Sequence, residues 1–404
     1  MLVRKEQLAI DGGTPVRTTP FPAWPAFDAG DIEAVAGVLR SGRVNYWTGE
    51  EGRLFEREFA VFCGCRYAVA VANGTIALEL ALAALDIGPG DEVIVPCRTF
   101  IATASAVVRC GAVPVMADVD ADSQLLTAAT VEPLITAKTQ AIIVVHLAGW
   151  PAAMDELLAL ARRRDLRLVE DCAQAHGATC QGRPVGSFGD VAAFSFCQDK
   201  IMTTGGEGGM LTTNREDVFE KAWSLKDHGK DYRLLREPVL APGFRWLHAG
   251  CGTNGRLTEM QAVLGRRALK KLAGWVETRR HHAALLTAVC GRQACLRLAV
   301  PPAGIYHSYY KYYVFLRPER LRPGWNRDRF LAAVNAEGIP CFSGSCPEIY
   351  REKALVRWQP PWRRPTARRL GETSLMFLVH PTLGEADMVD TAAAVDKVCR
   401  AASG

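Results

Sequence analysis

Short apolar runs alternate with amphipathic stretches along the first two-thirds of the chain. Tyr67–Val71, Glu92–Val95, Val113–Met116, Ala141–Val145, Arg167–Val169 and Val191–Phe196 are each bounded by Gly, Pro, Asp or Asn, which predicts strands. Between them lie helical patterns over Thr75–Leu85, Ile101–Cys110 and Ala152–Arg164, the last with apolar residues at i, i+3 and i+4. Strands alternating with helices imply an α/β fold with a mostly parallel sheet covered on both faces. Such sheets bind ligands beyond the C-terminal ends of their strands. Chemistry is therefore expected at Asn73–Thr75, Pro96–Phe100, His146–Trp150, Asp171–His176 and the segment after Phe196.

The texture changes after about Gly255. Leu257–Trp275 predicts a long helix, because helical periodicity continues there without an internal proline. A β-like, aromatic His307–Phe315 follows, then a helix over Arg327–Glu337 and a closing helix over Glu385–Ala402. The expected organisation is an extended Pro- and Gly-rich arm over residues 1–30, a large α/β domain over 31–255 and a smaller α+β domain over 256–404. A chain of 404 residues exceeds the roughly 250–300 at which single cores stop growing, in keeping with two domains. No internal repeat or low-complexity segment interrupts this pattern.

Composition narrows the class. Hydrophobic residues make up 49% and charged residues 23%, close to the globular average, which argues against disorder. The longest uncharged apolar runs, such as Ala141–Val145, fall far short of the roughly 20 residues of a membrane span. Met1–Glu6 carries an acid almost at once and does not pattern as a leader, so a cytoplasmic protein is expected. The 13 cysteines are odd in number, scattered, and include no CxxC pair, which speaks against zinc sites and secreted disulfide frameworks. No metal is expected. A net charge of +5 is too small to indicate nucleic acid. One run is locally basic: Arg351–Arg369 sets seven Arg or Lys residues against Glu352. A solvated face accounts for it; a polyanion surface or an anchor for a substrate diphosphate are the sharper alternatives.

The candidate chemistry sits at the predicted strand ends. Asn73-Gly74-Thr75 follows a strand and opens a helix, so its backbone N–H groups could cradle a phosphate, although the same tripeptide makes an ordinary N-cap turn. Glu170-Asp171 ends an apolar strand, where a carboxylate calls for a cationic partner or caps the next helix. Lys200 stands after the strand ending Phe194-Ser195-Phe196 and before Gly205-Gly206-Glu207-Gly208-Gly209. A partly desolvated lysine at a crevice can form a Schiff base. The glycine run is not GxGxxG after a first strand, which leaves a dinucleotide site without support. Taken together, the pieces match what pyridoxal 5′-phosphate needs: Lys200 for its aldehyde, Asp171 for its pyridine nitrogen, Thr75 with Ser195 for its phosphate, and Phe100 as a ring to stack on.

With these residues in place, the chain resembles the DegT/DnrJ/EryC1/StrS family of pyridoxal-phosphate aminotransferases. The resemblance runs from Gly12-Gly13-Thr14-Pro15-Val16-Arg17, through Gly88–Pro96, to Val379-His380-Pro381-Thr382; Glu170–Gly177, Phe194–Gly209 and Gly252–Arg256 are its most specific stretches. It implies the fold-type I architecture of pyridoxal-phosphate enzymes and a ping-pong transamination from L-glutamate or L-glutamine to a keto-sugar, nucleotide-linked or a keto-cyclitol. It further implies that Lys200 holds the cofactor and moves the proton, Asp171 pairs with the pyridine nitrogen, and Gln174 hydrogen-bonds the ring hydroxyl. Gly74, Thr75 and Ser195 would surround the phosphate. Asn254 would reach the phosphate of a partner subunit's cofactor, making a homodimer with shared sites. Relatives commonly place an aromatic residue after that asparagine; here it is Gly255. Family dehydratases carry histidine in place of the lysine, and Lys200 argues against that branch. A non-catalytic cofactor-binding relative and a polyanion-binding protein are the competing readings. His146, His176, His228 and the aromatic Tyr309–Tyr313 are read as packing or rim residues and Glu207 as a turn residue; none of these enters the catalytic set.

Overall fold

In the computed structural model, which describes residues 7–238 and 243–403, each of the six strands predicted in the first two-thirds of the chain is present to within two residues of its expected ends. They are β1 (Tyr67–Val71), β2 (Glu92–Pro96), β3 (Val113–Ala117), β4 (Thr139–Val145), β5 (Arg167–Asp171) and β6 (Val191–Ser195). Met1–Glu6, read above for a leader, lies outside the described residues. Within the large sheet the pattern missed one strand, β7 (Gly209–Thr213), which starts on glycine and ends on paired threonines and so lacks an apolar run. The large sheet has the order β1-β7-β6-β5-β4-β2-β3. All neighbours pair in parallel except β7, which runs antiparallel between β6 and β1.

Helices cover both faces of this sheet. The longer ones are α1 (Ala29–Ser41), α2 (Glu51–Cys63), α3 (Gly74–Ala84), α4 (Ala102–Arg109), α5 (Met154–Arg163) and α6 (Glu216–Lys226). Neighbouring strand residues point to opposite faces. Ala193 of β6 joins the core shared with α3, α4 and α6, while Phe194 joins Phe55 and Phe59 of α2 on the other side. Burial on both faces is why these strands read as unbroken apolar runs.

α7 (Glu259–Cys290) corrects the sequence reading, which ended it at Trp275. The polar stretch Glu277–His282 interrupts the apolar stripe, but Arg279 and His282 are buried there, so tertiary contacts carry the helix onward. Near its start, α7 is tied to the large sheet's helices by Arg266 with Glu51 and Glu58, both at 2.6 Å, and by Lys271 with Asp28 and Asp31, both at 2.7 Å.

Four antiparallel strands form a second sheet in the order β8-β9-β11-β10: β8 (Leu296–Leu298), β9 (Tyr312–Leu316), β10 (Cys341–Phe342) and β11 (Ser374–Phe377). The aromatic stretch is thus a strand only from Tyr312; Tyr309 just before it adopts a left-handed φ of 45°. α8 (Arg327–Ala336), α9 (Pro365–Thr373) and α10 (Glu385–Ala402) complete this part, the last with the bounds the sequence predicts.

The arm is anchored rather than free. Glu337 accepts the backbone N–H groups of Ala9 and Val16 and pairs with Lys397 at 2.9 Å, while Arg17 pairs with Asp387 and Asp390. The arm then carries Trp24 to the crevice and gives way to α1, capped by the side chain of Asp28. No helix among the described residues is long and apolar enough to cross a membrane.

Candidate active site

β5 ends in two consecutive carboxylates that face opposite sides of the sheet. Glu170 is fully buried and saturated: it accepts from the backbone N–H groups of Gly186, Phe188 and Gly189 at 2.7–2.8 Å and from His146 Nε2 at 3.0 Å. His146 Nδ1 accepts the Ala152 N–H, which leaves the Nε2 proton for Glu170. Burial pushes Glu170 toward protonation, but the His146 bond and the amides outweigh it and hold the carboxyl below its ordinary range. Cys172 lies close enough to complete a possible metal triad with this pair, yet both His146 nitrogens are already engaged.

Asp171 has fewer donors. Its Oδ2 accepts the Thr103 hydroxyl at 2.9 Å and its Oδ1 the Ala173 N–H at 3.2 Å. Burial dominates here and raises its pKa above the usual carboxylate value, against the pull of Thr103, Ala173 and Lys200. A buried carboxylate with spare acceptor capacity and a raised pKa is built for a cationic partner. Thr103, on α4 and linked to Thr99 at 3.0 Å, was not singled out by the sequence. Its only signal is its place one turn after Phe100. Phe100 itself lies ahead of α4 with 66% of its surface exposed.

Across the crevice, α3 presents an open N-terminus. Asn73 caps it by accepting the Ile76 N–H at 2.9 Å, while the amides of Gly74 and Thr75 donate to no group among the described residues. A Cβ on Gly74 would lie 2.7 Å from Ser195 Cβ and 3.2 Å from its Oγ, so only glycine lets the helix start approach the end of β6. Gly209 serves the same purpose from β7, where a Cβ would meet the Asn73 carbonyl carbon at 2.5 Å. Ser195 Oγ accepts the Cys197 N–H at 3.3 Å and keeps its own proton to donate. Free amides and a hydroxyl at a helix N-terminus form an anion cradle.

Lys200 lies between these features and the second sheet. Its Nζ is 3.8 Å from Asp199 Oδ1 and 5.0 Å from the centroid of the Tyr310 ring. The Tyr310 hydroxyl donates to Asp199 Oδ2. The indole of Trp24 donates to the Lys200 carbonyl at 2.8 Å, tying the arm to this turn. Burial favours the protonated form of Asp199, but Lys200, the Tyr310 hydroxyl and Lys311 together hold it ionised below its ordinary pKa. Trp24 and Tyr310 come from 176 and 111 residues away, and no local pattern announces either.

The remaining candidates fall into place around this core. Gln174 Oε1 accepts the Ala148 N–H at 2.8 Å, so its NH₂ group is the end left to donate. Asn254 is exposed, in a short segment whose next residue, Gly255, accepts the Ala72 N–H ahead of α3. His176 packs against Phe194 and Phe196, and burial, then the Lys200 charge, lowers its pKa to about 3. In the basic run, Arg363 and Arg368 pair with Glu348 and Glu372, and Arg364 donates to the Met116 carbonyl at 2.8 Å. Much of that positive charge is therefore locally engaged.

A buried acceptor of raised pKa, a cradle that a Cβ would fill, and a lysine amine in one crevice fit pyridoxal 5′-phosphate by the chemistry of their donor set. The profile of the DegT/DnrJ/EryC1/StrS aminotransferase family matches residues 25–395. The chain is 38% identical to the L-glutamine:2-deoxy-scyllo-inosose aminotransferase of Streptoalloteichus tenebrarius, covering 97% of each. It is 40% identical to the UDP-N-acetyl-3-dehydro-alpha-D-glucosamine 3-aminotransferase of Acidithiobacillus ferrooxidans, over 83% of this chain and 85% of that one. Among solved structures, an aminotransferase from Psychrobacter cryohalolentis superimposes with a TM-score of 0.92 at 51% identity, over 93% of this chain and 98% of that one.

Proposed function

Because the chain belongs to the DegT/DnrJ/EryC1/StrS family of pyridoxal-phosphate-dependent sugar aminotransferases, we propose that it carries an amino group from L-glutamate or L-glutamine to a nucleotide-linked keto-sugar. What supports the reading is the convergence of Lys200, the Asp171–Thr103 pair and the open start of α3 at one edge of the large sheet. When bound, pyridoxal 5′-phosphate supplies an electrophilic aldehyde and a ring that stabilises negative charge on the carbon bearing the transferred nitrogen.

The protein's own residues divide the remaining work. Asp171, oriented by Thr103 and Ala173, would hold a proton on the pyridine nitrogen, and that pairing relieves the cost of its burial. Gly74, Thr75 and Ser195 would bind the phosphate, and the free NH₂ of Gln174 would donate to the ring hydroxyl. Phe100, exposed in one chain, would stack against the ring. Lys200 Nζ would take the proton from the donor's Cα, with Asp199 and Tyr310 setting its position. Asn254 would complete the phosphate site of a second copy in a homodimer.

A keto-cyclitol is the second reading for the acceptor, favoured by the coverage of the scyllo-inosose aminotransferase from end to end. Two measurements test the proposal. Borohydride reduction followed by peptide mapping is expected to fix the cofactor to Lys200, and a label on another lysine, or none, sinks it. Keto-sugar nucleotides and keto-inositols, each supplied with L-glutamate, are then compared by 2-oxoglutarate release, which decides the acceptor.

A further inference from the structure

The reacting end of the crevice carries more positive charge than its own residues balance. Lys200, Lys311 and Arg279 gather around Tyr310, and Asp199 is the carboxylate facing them. Lys311 Nζ lies 4.8 Å from the Tyr310 centroid, nearly the same distance as Lys200 Nζ, so the two amines share one aromatic ring. Among the described residues, Lys311 makes no hydrogen bond or ion pair.

Arg279 stands behind them at 1% exposure, beneath the Trp24 ring at 5.3 Å. Its Nη1 donates to the Tyr310 carbonyl at 3.1 Å, while Nε and Nη2 have no partner. Histidine offers no relief, since His380 is kept neutral by burial and by the Arg279 and Lys311 charges. Burial likewise lowers the Lys311 pKa to about 8, with Arg279 and Lys200 adding to it and Asp199 opposing.

Desolvated cations without partners are costly, so this end of the site is prepared for an anion that arrives with a ligand. The cofactor phosphate belongs at the other end, on the start of α3. A donor amino acid brings its own anion, the α-carboxylate, bonded to the very carbon whose proton Lys200 takes. That carboxylate therefore lies within a few bonds of the Lys200 amine, and Lys311 is the cation without an ion-pair partner that shares the Tyr310 ring with that amine.

We propose that Lys311, backed by the buried Arg279, anchors the α-carboxylate of the amino donor and so restricts donors to α-amino acids. The proposal rests on the reading that Lys200 holds the cofactor. Lys311 touches substrate only in the donor half of the cycle; Arg279 positions it through the Tyr310 backbone and the shared field.

The experiment compares each donor with its decarboxylated counterpart: L-glutamate with 4-aminobutyrate, and L-glutamine with 4-aminobutanamide. The wild-type holoenzyme is expected to favour the α-carboxylate donor in kcat/KM by 10²-fold or more. K311Q is expected to lose at least tenfold of that preference, mostly through a higher KM for the amino acid, and K311R to recover part of it. A merely structural role would depress both donors alike and leave the ratio intact; that result overturns the proposal. So does a wild-type enzyme that accepts the decarboxylated amines equally well, a comparison that needs no variant to fold. Borohydride mapping run in parallel separates the causes: label on Lys200 with an unchanged ratio rejects the anchor alone, whereas label elsewhere rejects the cofactor reading and the anchor with it.

Discussion

Glu170 and Asp171 are adjacent on one strand, both buried, yet their surroundings are opposites. Glu170 lies where a loop wraps back over the sheet and is met by three amides and His146, and its charge is matched inside the protein. Asp171 lies on the crevice side with one hydroxyl and one amide. Their pKa values shift accordingly, Glu170 downward and Asp171 upward. The difference teaches that burial of a carboxylate does not by itself mark function. What separates a structural acid from a ligand-binding one is how much of its acceptor capacity the protein leaves open.

That contrast can be broken by exchanging what each acid does. Glu170→Gln should leave the chemistry of the folded fraction nearly intact but cost about 2–6 kcal/mol of stability, because the amide NH₂ cannot accept and leaves two of the four donors unsatisfied at about 1–3 kcal/mol each. Urea unfolding at neutral pH measures this; an unchanged midpoint means the hub is not structural. Asp171→Asn should do the reverse. Turnover is expected to fall by about 10²-fold, or about 2.7 kcal/mol at 1.36 kcal/mol per decade, with the fold intact and donor affinity less affected. Near-normal turnover would reduce Asp171 to a cap on the Ala173 turn.

The cradle side of the crevice gives a smaller effect. Asn254→Ala is expected to weaken cofactor binding roughly tenfold or more, through loss of one charge-assisted contact worth about 1.5–3 kcal/mol. Mixing Lys200→Ala chains with Asn254→Ala chains tests whether that contact crosses between subunits. In a heterodimer with crossed sites, the chain that keeps Lys200 borrows an intact Asn254. Activity at limiting cofactor above the sum of the two homodimers supports sharing, whereas strictly additive activity places Asn254 within its own chain.

Per pH unit, the smallest effect is that of a buried histidine. His176 has a folded pKa near 3 against an ordinary value of 6.5, so between these limits the unfolded chain binds more protons than the folded one. Stability therefore rises with pH across that window and is lost as pH falls below about 6.5. His176→Leu should flatten the dependence of unfolding free energy on pH by up to about 1.36 kcal/mol per pH unit. Parallel wild-type and variant curves between pH 4 and 6 would show that the histidine is protonated in the folded state.

What the sequence determined by itself is the set of elements whose signal is local. The strands β1 to β6 are short apolar runs bounded by turn formers, and α10 carries its own helical pattern, so each declares itself within a window of some ten residues. The α/β alternation then places Asp171, Gln174, Ser195, Lys200 and the Asn73–Thr75 turn at strand ends, which is enough to suggest the cofactor. Tertiary structure decided the rest. α7 passes its polar stretch because Arg279 and His282 are buried by other segments, and β7 exists because β1 and β6 offer it edges to pair with. The sequence pattern of Tyr309–Tyr313 does not distinguish core from crevice: Tyr310, Tyr312 and Tyr313 join three separate cores, and of these Tyr310 also turns its hydroxyl to Asp199. Thr103, Trp24, Tyr310 and Lys311 meet Asp171 and Lys200 only after the sheet order and the path of the arm are set. Contacts across 68 to 176 residues depend on how separate elements pack, and periodicity within one element carries no record of that.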